Sequence, residues 1–257
     1  MNIASIVRKK LPKQIRPLFR KFYRGMLRFW YWGYRVVCPC CDRQFRSFRP
    51  YGTPKRDQAL CPHCGALERQ RLLWLFLKNR THFFQKSMRV LHVAPPTVFL
   101  RRFQLLPHHY LPVDLNSPLA QMRLDVMHLP FDDDVFDVVL CNHVLEHVLD
   151  DRQALKELYR VMKVGGWALL QVPIDLQKKE TVEVDDPTLL TDQQRVELFG
   201  QIDHVRQYGL DYRERLEQVG FSVDIEFYWQ ALGSALVAKH ALMCEEPIFL
   251  CHKGKSE

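Results

Sequence analysis

Three consecutive runs between residues 136 and 173 restrict the fold more than any other feature. FDVVLCNH is almost continuously apolar, DRQALKELYRVM places Leu155, Leu158, Tyr159 and Met162 at helical spacing, and VGGWALLQVP is apolar again. A strand with no polar alternation must be covered on both faces, which is the condition of a strand inside a parallel sheet. Strand, amphipathic helix, strand is therefore the βαβ unit of an α/β domain. The same alternation starts at Met88. RVLHV reads as a first strand, TVFLRRFQLL as a short helix, YLPVD as a second strand and MRLDV as an edge-like third. FDVVLCNH is then the fourth and VGGWALLQVP the fifth, entered through a turn at Gly165 and Gly166. GLDYRERLEQVGF is the last clear helix, followed by SVDIEFYW and PIFLCHK as strands six and seven. Residues 174–205 are long, polar and irregular, as in a lid or substrate loop. Residues 81–257 are expected to form this domain.

Upstream of it, Cys38-Pro-Cys-Cys41 and Cys61-Pro-His-Cys64 are separated by nineteen residues. Two such knuckles each turn a pair of thiolates toward one point, the layout of a structural zinc site. Four thiolates, from Cys38, Cys41, Cys61 and Cys64, close a tetrahedral shell and leave no open position, so Zn2+ there contributes folding energy rather than chemistry. Cys40 and His63 are alternative ligands of poorer spacing. Residues 36–80 are thus read as a zinc ribbon followed by the connecting helix ALERQRLLWLFLKN. Cysteines arranged for metal point to a reducing, cytoplasmic compartment. The chain start lacks the features of a secretory signal, and no apolar run approaches the roughly 20 residues of a membrane span.

Charge is distributed unevenly. Residues 1–35 hold ten Lys and Arg and no acid, residues 36–80 carry a net +6, and residues 81–257 a net −8, within a total of +8. In RPLFRKFYRGMLRFWYWGYR, Arg16, Arg20, Arg24 and Arg28 recur every fourth residue among aromatic rings. A basic N-terminal helix of this kind suits an anionic membrane surface, which would place the protein at the inner face of the membrane. It also suits RNA, which is less favoured, or packing against the chain's own domain.

In a Rossmann-type sheet, ligands bind beyond the carboxyl ends of the strands, and an acid about 20 residues past the first loop grips ribose hydroxyls. Asp114 stands at that distance from Val93. The first loop, however, reads Val93-Ala94-Pro95-Pro96 and has no glycine.

The run LDVMHLPFDDDVFDVVLCNHVLEHVLDDRQALKELYRVMKVGGWALLQVP resembles, over about fifty residues, the core of the class I S-adenosylmethionine-dependent methyltransferases, specifically the type 11 group. The resemblance implies a Rossmann-like seven-stranded sheet, here preceded by the zinc ribbon and the basic helix. It also implies S-adenosyl-L-methionine as cofactor, with Val93, Ala94 and Pro95 in the first loop and Asp114 and Leu115 at the ribose. Asp125 would meet the adenine amino group and Val126 would offer backbone. Cys141, Asn142 and His143 would flank the methionine portion and the transferring methyl. A narrower bacterial subset with an N-terminal zinc ribbon is more similar still, through CPHCGALERQRLLWLFL, HVAPP, DLNSPLA, CNHVLEH and FGQIDHVRQYG. That subset already lacks the glycine loop but carries Glu where this chain has Pro96, which removes an acid and a backbone donor. Glycines matter where backbone approaches a pyrophosphate, and S-adenosylmethionine has none.

For the acceptor, GQIDHVRQYG at 200–209 is the strongest candidate. His204 has the chemistry of a general base, and Asp203, Arg206 and Tyr208 that of acceptor-orienting groups. The same residues equally suit pinning the loop by hydrogen bonds. His147 reads as a packing or helix-fixing residue. The expected function is methyl transfer to an unidentified small molecule, glycan or lipid-linked acceptor. Alternatives are an RNA methyltransferase gripping RNA with residues 1–80, and a binding protein with a degenerate cofactor loop.

Overall fold

The structure, a computed structural model, describes residues 15, 18, 25–27, 29–52 and 54–254. The basic helix expected over residues 1–35 lies largely outside them. In chain order the elements are β1 (Val36–Cys38), β2 (Arg43–Phe45), β3 (Arg49–Tyr51), β4 (Arg56–Leu60), α1 (Glu68–Arg80), β5 (Arg89–Val93), α2 (Thr97–Phe103), β6 (His109–Asp114), β7 (Met122–Arg123) and β8 (Phe136–Asn142). There follow α3 (Asp151–Val161), β9 (Met162–Gln171), β10 (Val182–Glu183), α4 (Asp192–Phe199), β11 (Arg206–Gln207), α5 (Tyr212–Glu217), β12 (Phe221–Glu226), α6 (Tyr228–His240) and β13 (Ile248–Lys253). The chain divides into two units, one of residues 1–79 with 229–244, the other of 80–228 with 245–257. No helix among the described residues is long and apolar enough to cross a membrane.

In the first unit, β1 pairs with β2 and β3 with β4, each antiparallel. The helix α1 buries Leu72, Leu73, Phe76 and Leu77. It also buries Arg71, fully, over the ring of Phe48 at 4.2 Å. That guanidinium is tolerated because its donors are spent on carbonyls of Gln58, Ala59, Ala66, His240 and Ala241. His240 in turn hydrogen-bonds the carbonyl of Val37 through Nδ1. These bonds draw residues 229–244 into the first unit, so the α/β domain is not the continuous 81–257 expected. The sixth strand is also shorter than SVDIEFYW, because Tyr228 and Trp229 begin α6. YWQALGSALVAKH is rich in alanine and lacks the twofold alternation of a strand.

The second unit is built on a seven-stranded sheet of order β12-β13-β9-β8-β5-β6-β7. Strands β7 through β9 run parallel, while β13 is inserted antiparallel between β9 and β12. Following the chain, β5, β6 and β7 are laid down in one direction and β8 and β9 in the other, so strand order switches between β5 and β8. The apolar run in β8 is explained by Val138, Val139, Leu140 and Cys141, none of which keeps any exposed surface. One face of β8 meets α3 through Ala154, Leu155, Leu158 and Val161. The buried leucine and valine side chains each stabilise the fold by roughly 2 kcal/mol. The start of α3 is set by Asp150, whose carboxylate accepts the amide of Gln153 at 2.9 Å.

Two local expectations shift. Gly165 and Gly166 lie within β9 rather than ahead of it. Gly165 sits at φ 80°, and a Cβ on Gly166 would come within 2.8 Å of the Lys163 carbonyl, so the pair forms an irregularity in the ladder to β8. MRLDV is strand only at Met122 and Arg123. The Leu124 amide makes the last rung of this ladder, to the carbonyl of Asp114 at 3.2 Å.

Candidate functional site

The cysteine site is the simpler of two. Cys38 Sγ lies 3.6 Å from Cys64 Sγ, and Cys41 Sγ lies 3.8 Å from Cys61 Sγ. All four sulfurs fall within 4.8 Å of one another, and none is in a disulfide. A tetrahedral Zn2+ with bonds of about 2.3 Å holds its sulfurs about 3.8 Å apart, so the set fits the ion. The two knuckles are built alike. Asp42 (φ 53°) follows the first and Gly65 (φ 79°) the second, and both donate their amides back to the leading cysteine's carbonyl. Cys40 is not one of the four converging sulfurs, and its Sγ points to the Gln70 carbonyl at 3.8 Å.

The second site lies at the carboxyl ends of β5, β6 and β8, at the switch in strand order, where ligands of open α/β sheets bind. Val93 ends β5 and is buried. Ala94 then adopts φ 47°, its amide donating to the Val113 carbonyl at 2.7 Å. The backbone position that glycine would normally serve is held by alanine under torsional strain. Pro95 leads to Pro96, the N-cap of α2 at φ −62°, whose carbonyl accepts from Phe99 and Leu100. Proline's fixed φ suits this cap, so the departure at Pro96 is compatible with the loop's geometry.

Neighbouring β6 ends at Asp114. Its Oδ1 accepts the amides of Asn116 and Ser117, each at 2.7 Å, which fixes the carboxylate and leaves Oδ2 outside that turn. Leu115 is exposed, and its carbonyl accepts from Arg123. The bond between Leu124 and Asp114 brings the next loop alongside. In that loop Asp125 Oδ1 accepts the Met127 amide at 2.9 Å, beside buried Val126.

At the end of β8, Cys141 is fully buried in the core, and burial pushes its thiol above the usual range. Asn142 is the informative residue. Both ends of its carboxamide, Nδ2 and Oδ1, are buried without a hydrogen-bond partner among the described residues. Buried amides are almost always satisfied, so this one has hydrogen-bonding capacity to spare for water or a polar ligand. His143 follows at φ 56°, a second left-handed residue that is not glycine on the strand adjacent to β5. Strained backbone at two neighbouring strand ends is a hallmark of ligand sites. The His143 ring stands between two carboxylates, with Nδ1 3.5 Å from Glu146 and Nε2 2.8 Å from Glu246.

The loop expected to receive the acceptor folds over the turn Leu145–His147. Arg206 is buried and donates to the carbonyls of Leu145, Val148 and Leu149, while the Val205 amide donates to the Glu146 carbonyl. Tyr208 is fully buried, its hydroxyl donating to Asp151 at 2.7 Å. Arg206 and Tyr208 therefore pin the loop and do not face an acceptor. His204 is different. It is buried, and burial lowers its affinity for a proton. Its ring lies edge-on to His147 at 4.9 Å, and the Asp203 carbonyl meets His147 Nδ1 at 2.9 Å. Glu146 and His147 join this group without having been singled out as chemistry. The five-residue run His143-Val-Leu-Glu146-His147, with two imidazoles and an acid, was the available signal.

Residues 104–170 match the family model described as a methyltransferase domain. A demethylmenaquinone methyltransferase of Lactobacillus johnsonii is 50% identical over 53 residues, 21% of this chain and 22% of that protein. The chloroplastic 2-methyl-6-phytyl-1,4-hydroquinone methyltransferase of Spinacia oleracea is 27% identical over 147 residues, 56% of this chain and 41% of that protein. The chain spans less than half the length of either of these curated relatives. Among solved structures, the [4+2]-cyclase SpnF superposes with a TM-score of 0.50 at 16% identity, over 72% of this chain and 82% of that one. That name is not a methyltransferase's, so the likeness speaks for the fold and not for a reaction. Sheet order, switch-point site and the match over residues 104–170 agree that the α/β unit has the Rossmann-like fold of the class I methyltransferases.

Proposed function

We propose that the chain is an S-adenosylmethionine-dependent methyltransferase acting on a small molecule, with a structural Zn2+ in its first unit. The observation that carries the reading is the unpartnered carboxamide of Asn142 at the strand switch, between strained Ala94 and His143. Asp114 and Asp125 stand at the two strand-end positions that would hold ribose hydroxyls and an adenine amino group. Their carboxylates are already oriented by backbone amides. When bound, S-adenosylmethionine supplies an electrophilic methyl group on a sulfonium. The protein's own task is to align an acceptor near it and exclude water. The quinone- and hydroquinone-directed names of the relatives support a small-molecule acceptor. The net −8 of residues 81–257 also disfavours a polyanion at the pocket.

Isothermal titration tests the reading. The wild type should bind S-adenosylmethionine, and Asp114→Ala should weaken binding at least tenfold by removing charge-assisted hydrogen bonds. An absence of binding to the wild type, or equal binding by the variant, sinks it.

A further inference from the structure

A carboxylate oxygen of Glu146, a ring nitrogen of His147 and a ring nitrogen of His204 lie within 4.8 Å of one another. We infer that these three residues form a second metal site, one that takes a divalent transition cation such as Zn2+ and keeps coordination positions open.

The donor set is the first reason. Two imidazoles and one carboxylate suit Zn2+ and its first-row neighbours, and three protein ligands leave room for water or an oxygen of another molecule. The orientation of the rings is the second. His147 Nδ1 faces the Asp203 carbonyl at 2.9 Å and His204 Nδ1 faces the Phe199 carbonyl at 3.2 Å. A carbonyl only accepts, so each Nδ1 carries the proton and each Nε2 keeps its lone pair. Metal-binding histidines are set in this way, with the far nitrogen donating to a fixed acceptor. Burial supplies the third reason. The Glu146 side chain is 2% exposed, and its Oε2 has no partner among the described residues. Its Oε1 lies 3.5 Å from His143 Nδ1, and the remaining oxygen is unaccounted for. A buried carboxylate oxygen without a partner is costly, and a cation is the species that would complete it.

The spacing is close to that of a filled site. Nitrogen and oxygen ligands at about 2.1 Å from a tetrahedral ion stand about 3.4 Å apart. His147, whose side chain is 37% exposed, can cover the difference by rotating. The ligands come from two segments, the turn Leu145–His147 and the loop that α4 leads into, and Arg206 ties one to the other. The cation would therefore sit where the acceptor loop closes over the end of β8. This site adds to the methyltransferase reading, but the metal can be assayed without cofactor or acceptor.

The experiment is equilibrium dialysis of the purified full chain against excess Zn2+, with metal counted per chain. The wild type should hold two equivalents, one for each cluster. His147→Ala and Glu146→Gln should each hold one, while Cys61→Ser should keep the Glu146 site's equivalent. Co2+ gives an independent readout. The thiolate site shows intense sulfur-to-metal charge transfer, and the imidazole–carboxylate site adds weak bands that His147→Ala removes. His147 is exposed, so its variant tests the site without risk to the core. A wild type that holds one equivalent overturns the inference, as does a His147→Ala variant that still holds two. Neither result bears on S-adenosylmethionine binding, which the Asp114→Ala titration reads separately.

Discussion

The cysteine cluster and the strand-end pocket are both sites made of loops, yet they are assembled by opposite means. At the cysteines, two short knuckles repeat one backbone design, and all four donors converge at spacings that a single ion satisfies. At the strand ends, groups arrive from several separate segments, left-handed torsions fall on Ala94 and His143 where the knuckles place Asp42 and Gly65, and buried polar atoms are left open. The first site is saturated and suited to holding a fold together. The second stores strain and unmet hydrogen-bonding capacity, which a ligand can relieve.

If that contrast holds, the largest effect belongs to the cysteines. Apparent binding energies of structural zinc reach about 10–16 kcal/mol, more than most domains have in total stability. Cys61→Ser should therefore abolish protease resistance in residues 36–79 while the α/β unit keeps its S-adenosylmethionine binding. Limited proteolysis with mass spectrometry reads this directly. An unchanged cleavage pattern would break the contrast, because the saturated site would then hold nothing together.

The next effect is a pH dependence within β5. His92 is fully buried, shares a hydrogen bond between Nδ1 and the Tyr110 hydroxyl at 3.0 Å, and leaves Nε2 unpartnered. Burial pushes its imidazole down to about 3 from 6.5. Below about pH 6.5 the unfolded chain takes up a proton that the folded chain refuses, so stability falls as pH drops, until the folded group also titrates near 3. The slope is one proton, about 1.4 kcal/mol per pH unit, or about 2 kcal/mol between pH 6.5 and 5. Replacing the pair by His92→Phe with Tyr110→Phe should flatten the urea midpoint of the α/β unit over that range. An equally steep loss in the double variant would assign the acid sensitivity elsewhere.

Much of this was legible in the chain itself, and the reasons differ by region. The runs RVLHV and FDVVLCNH appear as β5 and β8 almost to the residue, because a strand covered on both faces leaves an unbroken apolar signature. The knuckles are legible because metal spacing is local. Helix α6 was not, since YWQALGSALVAKH has no amphipathic stripe and is bent at Gly233. Arg71 was not either, because an arginine on a helix is nearly always solvated and nothing in its neighbours announces that carbonyls would surround it. In the acceptor loop, residue types alone left open whether Arg206 and Tyr208 recognise a ligand or pin the chain. The carbonyls of the turn at 145–149 and the carboxylate of Asp151 decide it, and those partners lie more than fifty residues away.

A smaller effect tests the open side of the contrast. Asn142→Leu keeps side-chain volume but removes an amide that has no partner, so the free protein should gain about 1 kcal/mol. The stabilisation that S-adenosylmethionine confers on the wild type should shrink in the variant. Thermal unfolding with and without the cofactor measures both. A destabilised free protein would mean that the amide is already satisfied and marks no ligand.

The smallest effect is the sharpest, because opposite chemical changes at the two sites test one torsional rule. Ala94 holds φ 47°, a region that costs an L-residue about 1 kcal/mol and costs glycine nothing. Ala94→Gly relieves that strain but gives the unfolded chain more freedom, so the net gain is about 0.5 kcal/mol. Gly65 holds φ 79° in the second cysteine knuckle, and a Cβ there would meet nothing within 4 Å. Gly65→Ala thus adds torsional strain without a steric clash, and after the lost unfolded-chain freedom it is expected to destabilise by about 0.5 kcal/mol. Denaturant midpoints for the two variants would show the second cysteine knuckle using a relaxed residue where the strand-end loop uses a strained one. Two shifts of the same sign would mean that the Ala94 torsion stores no energy for a ligand to draw on.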